Sequence, residues 1–246
     1  MNLQNIIKET LEKIFFPTAP KCGICNKVLL TKEDIYCNEC KNKVEWIKGK
    51  RCDICSRDIS DNLYSNLCEN CEGNEYYFTQ GYSIWNYDKY SKRIIKKIKY
   101  SNCEGLAIEA GNVLYKNTRD VEFLQDIDIV IPTPSDKKRF EIRGYNQALL
   151  IAKGFAANTK IPLKENIIIK ERSTKDQIGL SEKERKTNLH EAFKVTDSEI
   201  IKNKTLLIVD DVFTTGSTIN EISRTLLKAG AKETYFLTLA SKKNII

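Results

Sequence analysis

Four C-x-x-C pairs, Cys22/Cys25, Cys37/Cys40, Cys52/Cys55 and Cys68/Cys71, fill the first third of the chain and decide what that third can become. A reducing compartment keeps such thiols free, and two intervening residues let a tight knuckle present both sulfurs to one ion. Successive pairs are separated by 11, 11 and 12 residues, enough for a short hairpin to bring two knuckles together. Zinc is the default metal. Four thiolates also suit an iron–sulfur centre, and a redox role is a third alternative that four repeats without a thioredoxin-like strand context count against. Sequential pairing costs the least loop closure, so Cys22, Cys25, Cys37 and Cys40 are assigned to one zinc ion and Cys52, Cys55, Cys68 and Cys71 to a second, in preference to an interleaved cross-brace. A closed four-cysteine site has no open coordination position, which makes it structural and gives the module a docking or orienting task. Gly23, Asn26, Asn38, Asp53 and Ser56 supply the turns at the knuckles. Trp46 and Ile47, between the two ribbons, are expected to belong to a small core of their own, with packing of the two ribbons together as the alternative. Cys103 stands apart.

With 246 residues, 41% of them hydrophobic, the chain can bury a full core beyond the cysteines. The expected division is an amphipathic helix within residues 1–20, a double zinc ribbon over 21–74 and an α/β domain over 75–246. Leu3, Ile6, Ile7, Leu11, Ile14 and Phe15 give the N-terminal helix its apolar face, and Pro17 and Pro20 stop it. No run approaches the ~18 consecutive apolar residues of a membrane-spanning helix, and the N-terminus lacks a signal-peptide pattern. A cytoplasmic protein without membrane insertion is expected. Residues 1–75 carry 11 Lys/Arg and 12 Asp/Glu, whereas residues 76–246 carry 29 and 21, so anionic partners are expected on the second part.

The second part opens with an aromatic strand or hairpin, Tyr76–Phe78 and Gly81–Tyr87. A basic helix follows over Ser91–Tyr100, with Ile94, Ile95 and Ile98 on one face and Lys92, Arg93, Lys96, Lys97 and Lys99 on the other. That polar face is either a solvated surface or a nucleic-acid footprint. Helices are further expected over Leu106–Tyr115, Asn146–Asn158 and Ile219–Ala229. Strands are expected over Ile127–Ile131, near Ile167–Ile169, over Thr205–Val209 and over Thr234–Leu239, with a polar loop over Glu171–Asn188. Such alternation implies a mainly parallel sheet covered on both sides.

The densest chemistry lies in Leu206-Leu207-Ile208-Val209-Asp210-Asp211-Val212-Phe213-Thr214-Thr215-Gly216-Ser217-Thr218. A buried strand ends in two acids, and a loop of small hydroxylated residues then opens a helix. Ligands of open α/β sheets bind at the carboxyl ends of strands, and a helix N-terminus offers free amides and a positive dipole end to a phosphate. Gly216 allows close backbone approach. Two adjacent carboxylates suit vicinal ribose hydroxyls or hydrated magnesium. The bland alternative is a strand end followed by a helix cap. Neither a Gly-Lys-Ser/Thr phosphate loop nor a G-x-G-x-x-G fingerprint after a strand is present.

Val209–Thr218 resembles the phosphoribosyl-pyrophosphate motif of type I phosphoribosyltransferases. Ile131-Pro132-Thr133-Pro134, Arg139, Arg143-Gly144-Tyr145-Asn146-Gln147, and Gln177-Ile178-Gly179-Leu180 with Arg185 and Asn188 resemble, in that order, the ComF family of competence-associated proteins. Members of that family also carry a double zinc ribbon ahead of the transferase domain. The resemblance implies a phosphoribosyltransferase-type sheet in which Asp210 and Asp211 hold ribose hydroxyls and Thr214, Thr215, Gly216, Ser217 and Thr218 hold the 5′-phosphate. Pro132 and Thr133 would face pyrophosphate, with Arg139 and Arg143 nearby. Residues 171–188 would form a hood in which Lys175, Lys183 and Arg185 neutralise the leaving group. Catalysis would be departure of pyrophosphate from C1 through an oxocarbenium-like state, aided by magnesium and cations. No protein base is evident, and the sole histidine, His190, is read as a surface or core residue. The partners implied are phosphoribosyl pyrophosphate or a nucleotide, and also single-stranded DNA or other competence proteins, in DNA uptake. A non-catalytic DNA-binding or adaptor protein is the alternative to an enzyme.

Overall fold

The computed structural model describes residues 19–30, 34–100, 103–171 and 191–243. The expected N-terminal helix and most of the expected hood, Lys175, Lys183 and Arg185 included, lie outside them, as does His190. Four strands form the main sheet: β1 (Gln80–Asn86), β2 (Ile129–Pro132), β5 (Thr205–Phe213) and β6 (Glu233–Ser241). They stand in the order β1-β6-β5-β2 with every neighbouring pair parallel. The continuous apolar run Leu206–Val209 makes the centre of this sheet, since a parallel strand is covered on both faces. Leu207, Val209, Leu237 and Leu239 face one core. Leu206, Ile208 and Phe236 face the other.

The first core is closed by α2 (Lys89–Tyr100), α3 (Glu104–Lys116) and α5 (Gln147–Ala156), and the second by α6 (Ser217–Lys228). Ile94, Ile95 and Ile98 of α2 are all but fully buried, as their spacing requires. α3 and α5 cross almost backbone to backbone, because a Cβ on Gly154 would stand 1.9 Å from the Ile108 carbonyl oxygen. A two-stranded antiparallel sheet, β3 (Ile168–Lys170) with β4 (Phe193–Val195), flanks the hood stretch.

Several elements differ from the sequence expectation. The aromatic segment takes the single-strand form of the two expected, pairing in parallel with β6, but β1 begins only at Gln80 and leaves Tyr76–Phe78 outside it. The strand carrying the acids does not stop at Val209: β6 extends to Ser241 and supplies backbone partners as far as Phe213. A further helix, α4 (Lys137–Arg143), starts where the Asp136 side chain accepts the Lys138 amide and ends at left-handed Gly144.

Both cysteine sites form, and in the sequential pairing. They lie on opposite faces of the sheet. Cys22 and Cys40 share a core with Ile94, Ile95 and Val209, whereas all four cysteines of the second site share one with Phe78, Ile208 and Phe236. Between the sites runs a short helix, α1 (Asn38–Lys41), and then a linker. Trp46 and Ile47 of that linker do not hold the ribbons together. Trp46 makes an antiparallel bridge with Trp85, the Ile47 amide donates to the Ile84 carbonyl, and the Asn86 amide donates to the Glu45 carbonyl. β1 is an edge strand, and its outward backbone groups are satisfied by this segment. Tyr36, Trp46 and Trp85 stack edge to face above it.

Candidate functional site

The Sγ atoms of each cysteine tetrad all lie within 4.8 Å of one another, with Cys25 and Cys37 3.8 Å apart and Cys55 and Cys68 3.5 Å apart. Tetrahedral zinc, with Zn–S bonds of about 2.3 Å, requires sulfurs about 3.8 Å apart. The residues therefore fit two structural zinc ions. The two sites are unequally shielded. Cys25 is exposed and Cys37 half-buried, whereas Cys52, Cys55, Cys68 and Cys71 are all buried.

Both acids stand at the carboxyl end of β5, as the motif predicts. Alternation along the strand turns Asp211 to the same side as Leu207 and Val209, toward α2, where the Lys99 ammonium meets its Oδ1 at 2.8 Å. The other Asp211 oxygen, Oδ2, is buried with no hydrogen-bond partner among the described residues. A buried acceptor left open costs free energy unless a donor arrives, and a hydroxyl of a ligand is a fitting donor. Asp210 accepts the Asp211 amide at 2.8 Å. Desolvation of its carboxyl, together with the adjacent Asp211 charge, pushes Asp210 up to about 7. Burial works against a charge on Lys99, but the Asp211 carboxylate beside it outweighs that and holds the lysine above its ordinary value.

The loop after β5 has the form of an anion seat. Gly216 is left-handed, with φ 80°, and forms the N-cap of α6 without capping its amides by a side chain. A Cβ there would stand 2.8 Å from the Phe213 ring, so only glycine fits. The Thr215 and Ser217 hydroxyls are 2.8 Å apart. The first turn of α6 carries no acid, which leaves the positive dipole end unopposed. Asn220 in that turn accepts the Tyr77 amide, and Tyr76 donates from its hydroxyl to the Asn70 carbonyl beside the second tetrad. The second ribbon is thus bolted directly to the loop.

Pro132 and Thr133 reach the same place because β2 adjoins β5: Pro132 pairs with Val209, and the Thr133 amide donates to the Val209 carbonyl at 2.9 Å. Asn146 anchors Thr133 through its carbonyl while capping α5. Arg139 lies on α4 beside Asp136, which Lys170 holds in an ion pair at 3.2 Å. Arg143 is buried, donates to Gln147 Oε1 at 2.7 Å and lies over the Tyr100 ring. Tyr145 donates to the Ile98 carbonyl at 2.6 Å. The Arg143–Gln147 stretch therefore ties α2, α5 and the loop after β2 together.

Lys99 was not singled out for the site by sequence reasoning, which placed it on a basic face. The signal available was its position four residues after Ile95 and next to Ile98, at the margin of the apolar stripe. Lys97 is also committed inward, to the Cys22 carbonyl and the Asn26 side chain. Lys92, Arg93 and Lys96 remain exposed.

Residues 146–244 match the phosphoribosyl transferase domain family, and residues 11–72 match the double zinc ribbon domain. Competence protein F of Haemophilus influenzae is 30% identical over 87% of this chain and 93% of its own length. Competence protein ComFC of Bacillus subtilis is 26% identical over 82% of each chain. DNA utilization protein YhgH of Salmonella typhimurium is 26% identical over 85% of this chain and 92% of its own.

Proposed function

The chain belongs to the ComF family of competence proteins, with a phosphoribosyl transferase domain behind a double zinc ribbon, and from that premise we propose that it binds phosphoribosyl pyrophosphate or a related ribose phosphate in support of DNA uptake. The observation that carries the proposal is the buried, open Asp211 oxygen at the carboxyl end of β5, the strand that leads directly into the glycine-capped N-terminus of α6. Asp210 and Asp211 take the ribose hydroxyls, and Thr214–Thr218 with the α6 amides take the 5′-phosphate. Pro132 and Thr133 face the diphosphate, with Arg139 at the side and Arg185 supplied by the hood. Magnesium bound with the diphosphate would supply charge neutralisation for its departure, and Asp210 and Asp211 are the carboxylates that would stand beside it. The chain's own contribution is to orient the ribose and supply cations. A cytoplasmic place fits this ligand, and no helix among the described residues is long and apolar enough to cross a membrane.

Equilibrium dialysis with ribose 5-phosphate tests the seat. Thr215→Val removes the hydroxyl that pairs with Ser217 and is expected to weaken binding about tenfold, the worth of one hydrogen bond to a charged group. Equal affinity of Thr215→Val and the parent would move the phosphate elsewhere.

A second reading, contact with single-stranded DNA, is favoured by the exposed Lys92, Arg93 and Lys96 on α2 and by the names of the relatives. Such binding weakens steeply with salt.

A further inference from the structure

A cavity of about 790 Å³ opens between the exit of the first ribbon, the outer side of β1 and the end of α3. It shares no residue with the acid pair, the loop after β5 or the loop after β2. β6 stands between β1 and β5 in the sheet. We propose that this cavity is a second, independent site for a nucleotide unit, an aromatic base carrying phosphate.

Three aromatic rings line it: Tyr36, Trp46 and Tyr82. Trp46 is half-buried and stands edge to face with Tyr36 and with Trp85, at 6.3 and 5.9 Å between ring centres. Its orientation is set from below, and its indole N–H is directed to the Lys41 carbonyl. Tyr82 is half-buried and carries the Arg51 guanidinium 4.1 Å from its ring centre. Fixed, partly exposed rings are what a base stacks on.

The charge is equally one-sided. Lys41, Lys48, Arg51 and Lys116 line the cavity against the single carboxylate of Asp34. The linker over residues 41–51 contains Lys41, Lys43, Lys48, Lys50 and Arg51 with Glu45 as its sole acid. A linker that only had to cap the edge of β1 would need its backbone and the body of Trp46, not a concentration of lysines. Arg51 is spent on the fold, donating to the Ile47 and Ser83 carbonyls and to the Ser56 hydroxyl. What the lining offers a ligand is Lys41 and Lys48, point charges suited to phosphate, whereas an acidic peptide is best held by a free bidentate arginine. The volume lies within the range of about 300–1,000 Å³ common to small-ligand sites. A free mononucleotide and a nucleotide within a single strand present the same chemistry here.

Trp46 itself supplies the readout. The chain has two tryptophans, and Trp85 is fully buried. Zinc-loaded full-length protein carrying Asp210→Asn and Asp211→Asn, which silences the ribose-phosphate site, is titrated with dAMP and with a deoxyadenosine oligomer of about ten nucleotides. Quenching of tryptophan fluorescence is expected. It should weaken at least tenfold in protein that also carries Lys41→Glu and Lys48→Glu, both at exposed positions, with zinc content and near-ultraviolet dichroism unchanged. Quenching by the oligomer alone, reduced severalfold between about 50 and 200 mM salt, identifies a strand. Comparable quenching by dAMP identifies a free nucleotide. No quenching by either probe, or equal affinity of the charge-reversed protein, overturns the proposal. Retention of binding in the Asp210→Asn, Asp211→Asn background separates this site from the first.

Discussion

Replacing Cys55 by serine is expected to lower the stability of the whole chain by more than about 4 kcal/mol and to abolish ribose-phosphate binding, whereas Cys25→Ser costs about 1–2 kcal/mol. The difference follows from where the two tetrads sit. All four cysteines of the second are buried against Phe78, Phe213 and Phe236, rings that stack on one another directly beneath the loop. The chain leaving that tetrad passes through Tyr76 and Tyr77 to Asn220 in the first turn of α6. A free energy of metal binding on the order of 10 kcal/mol is also folding free energy there, because the ligands have no other reason to converge. Cys25 is exposed and the first tetrad partly open, so its loss frees the ribbon from α2 and leaves the sheet standing. A chromophoric chelator should draw zinc in two phases. The fast phase should leave ribose 5-phosphate binding intact, and the slow phase should end it. Loss of binding with the first zinc released would contradict the bolt between the second ribbon and the loop.

Lys99→Met is expected to destabilise the protein by about 3 kcal/mol at pH 8, because it leaves a buried carboxylate without its counter-ion. Asp211 is only 5% exposed and Lys99 24% in their side chains. The deficit should shrink below about 1 kcal/mol near pH 5. Asp210, pushed up to about 7 by desolvation and then by Asp211, titrates well above the usual carboxylate value of about 3.9. A raised carboxyl contributes stability that is fully present below its unfolded value and lost as the pH rises through its folded one. The window is therefore about pH 4 to 7. The Lys99 charge draws Asp210 downward, so removing it raises Asp210 further and enlarges the loss on the alkaline side. Adding Asp211→Asn to Lys99→Met should recover most of the difference at pH 8, since a pair removed together leaves no orphan. Urea unfolding of variant and parent at each pH cancels any acid release of zinc. A deficit independent of pH would mean that Lys99 acts through its methylenes alone.

How much of this was legible depends on how local each feature is. The zinc ligands were readable because C-x-x-C spacing is knuckle geometry within four residues. That the acid pair and the glycine- and hydroxyl-rich loop stand together was readable because the whole stretch is contiguous along β5 and the start of α6. Strand β5 announced itself as an apolar run, and α2 and α6 as periodic stripes. Long-range features were not readable. Nothing near Trp46 says that its partner is the edge of β1, a need created only once β6 has taken the other edge. Nothing near the cysteines says that the sheet will separate the ribbons onto opposite faces. Lys99 looks like a surface cation until the fold sets it beside Asp211, and Arg143, expected near the pyrophosphate, is set by the fold against Gln147 and Tyr100. β4 has three residues, too few for a period to show. The start and stop of α4 were present in Asp136 and Gly144, but its short span went unread.

Isothermal titration of the zinc-loaded protein with phosphoribosyl pyrophosphate and magnesium, repeated on the Asp210→Asn, Asp211→Asn variant, tests the central claim most directly. One molecule should bind per chain, and the double variant should bind at least about a hundredfold more weakly, the combined worth of two charged hydrogen-bond acceptors. A folded, metallated parent that gives no heat of binding would contradict the claim, leave the α/β domain as a scaffold, and direct attention to DNA and protein partners.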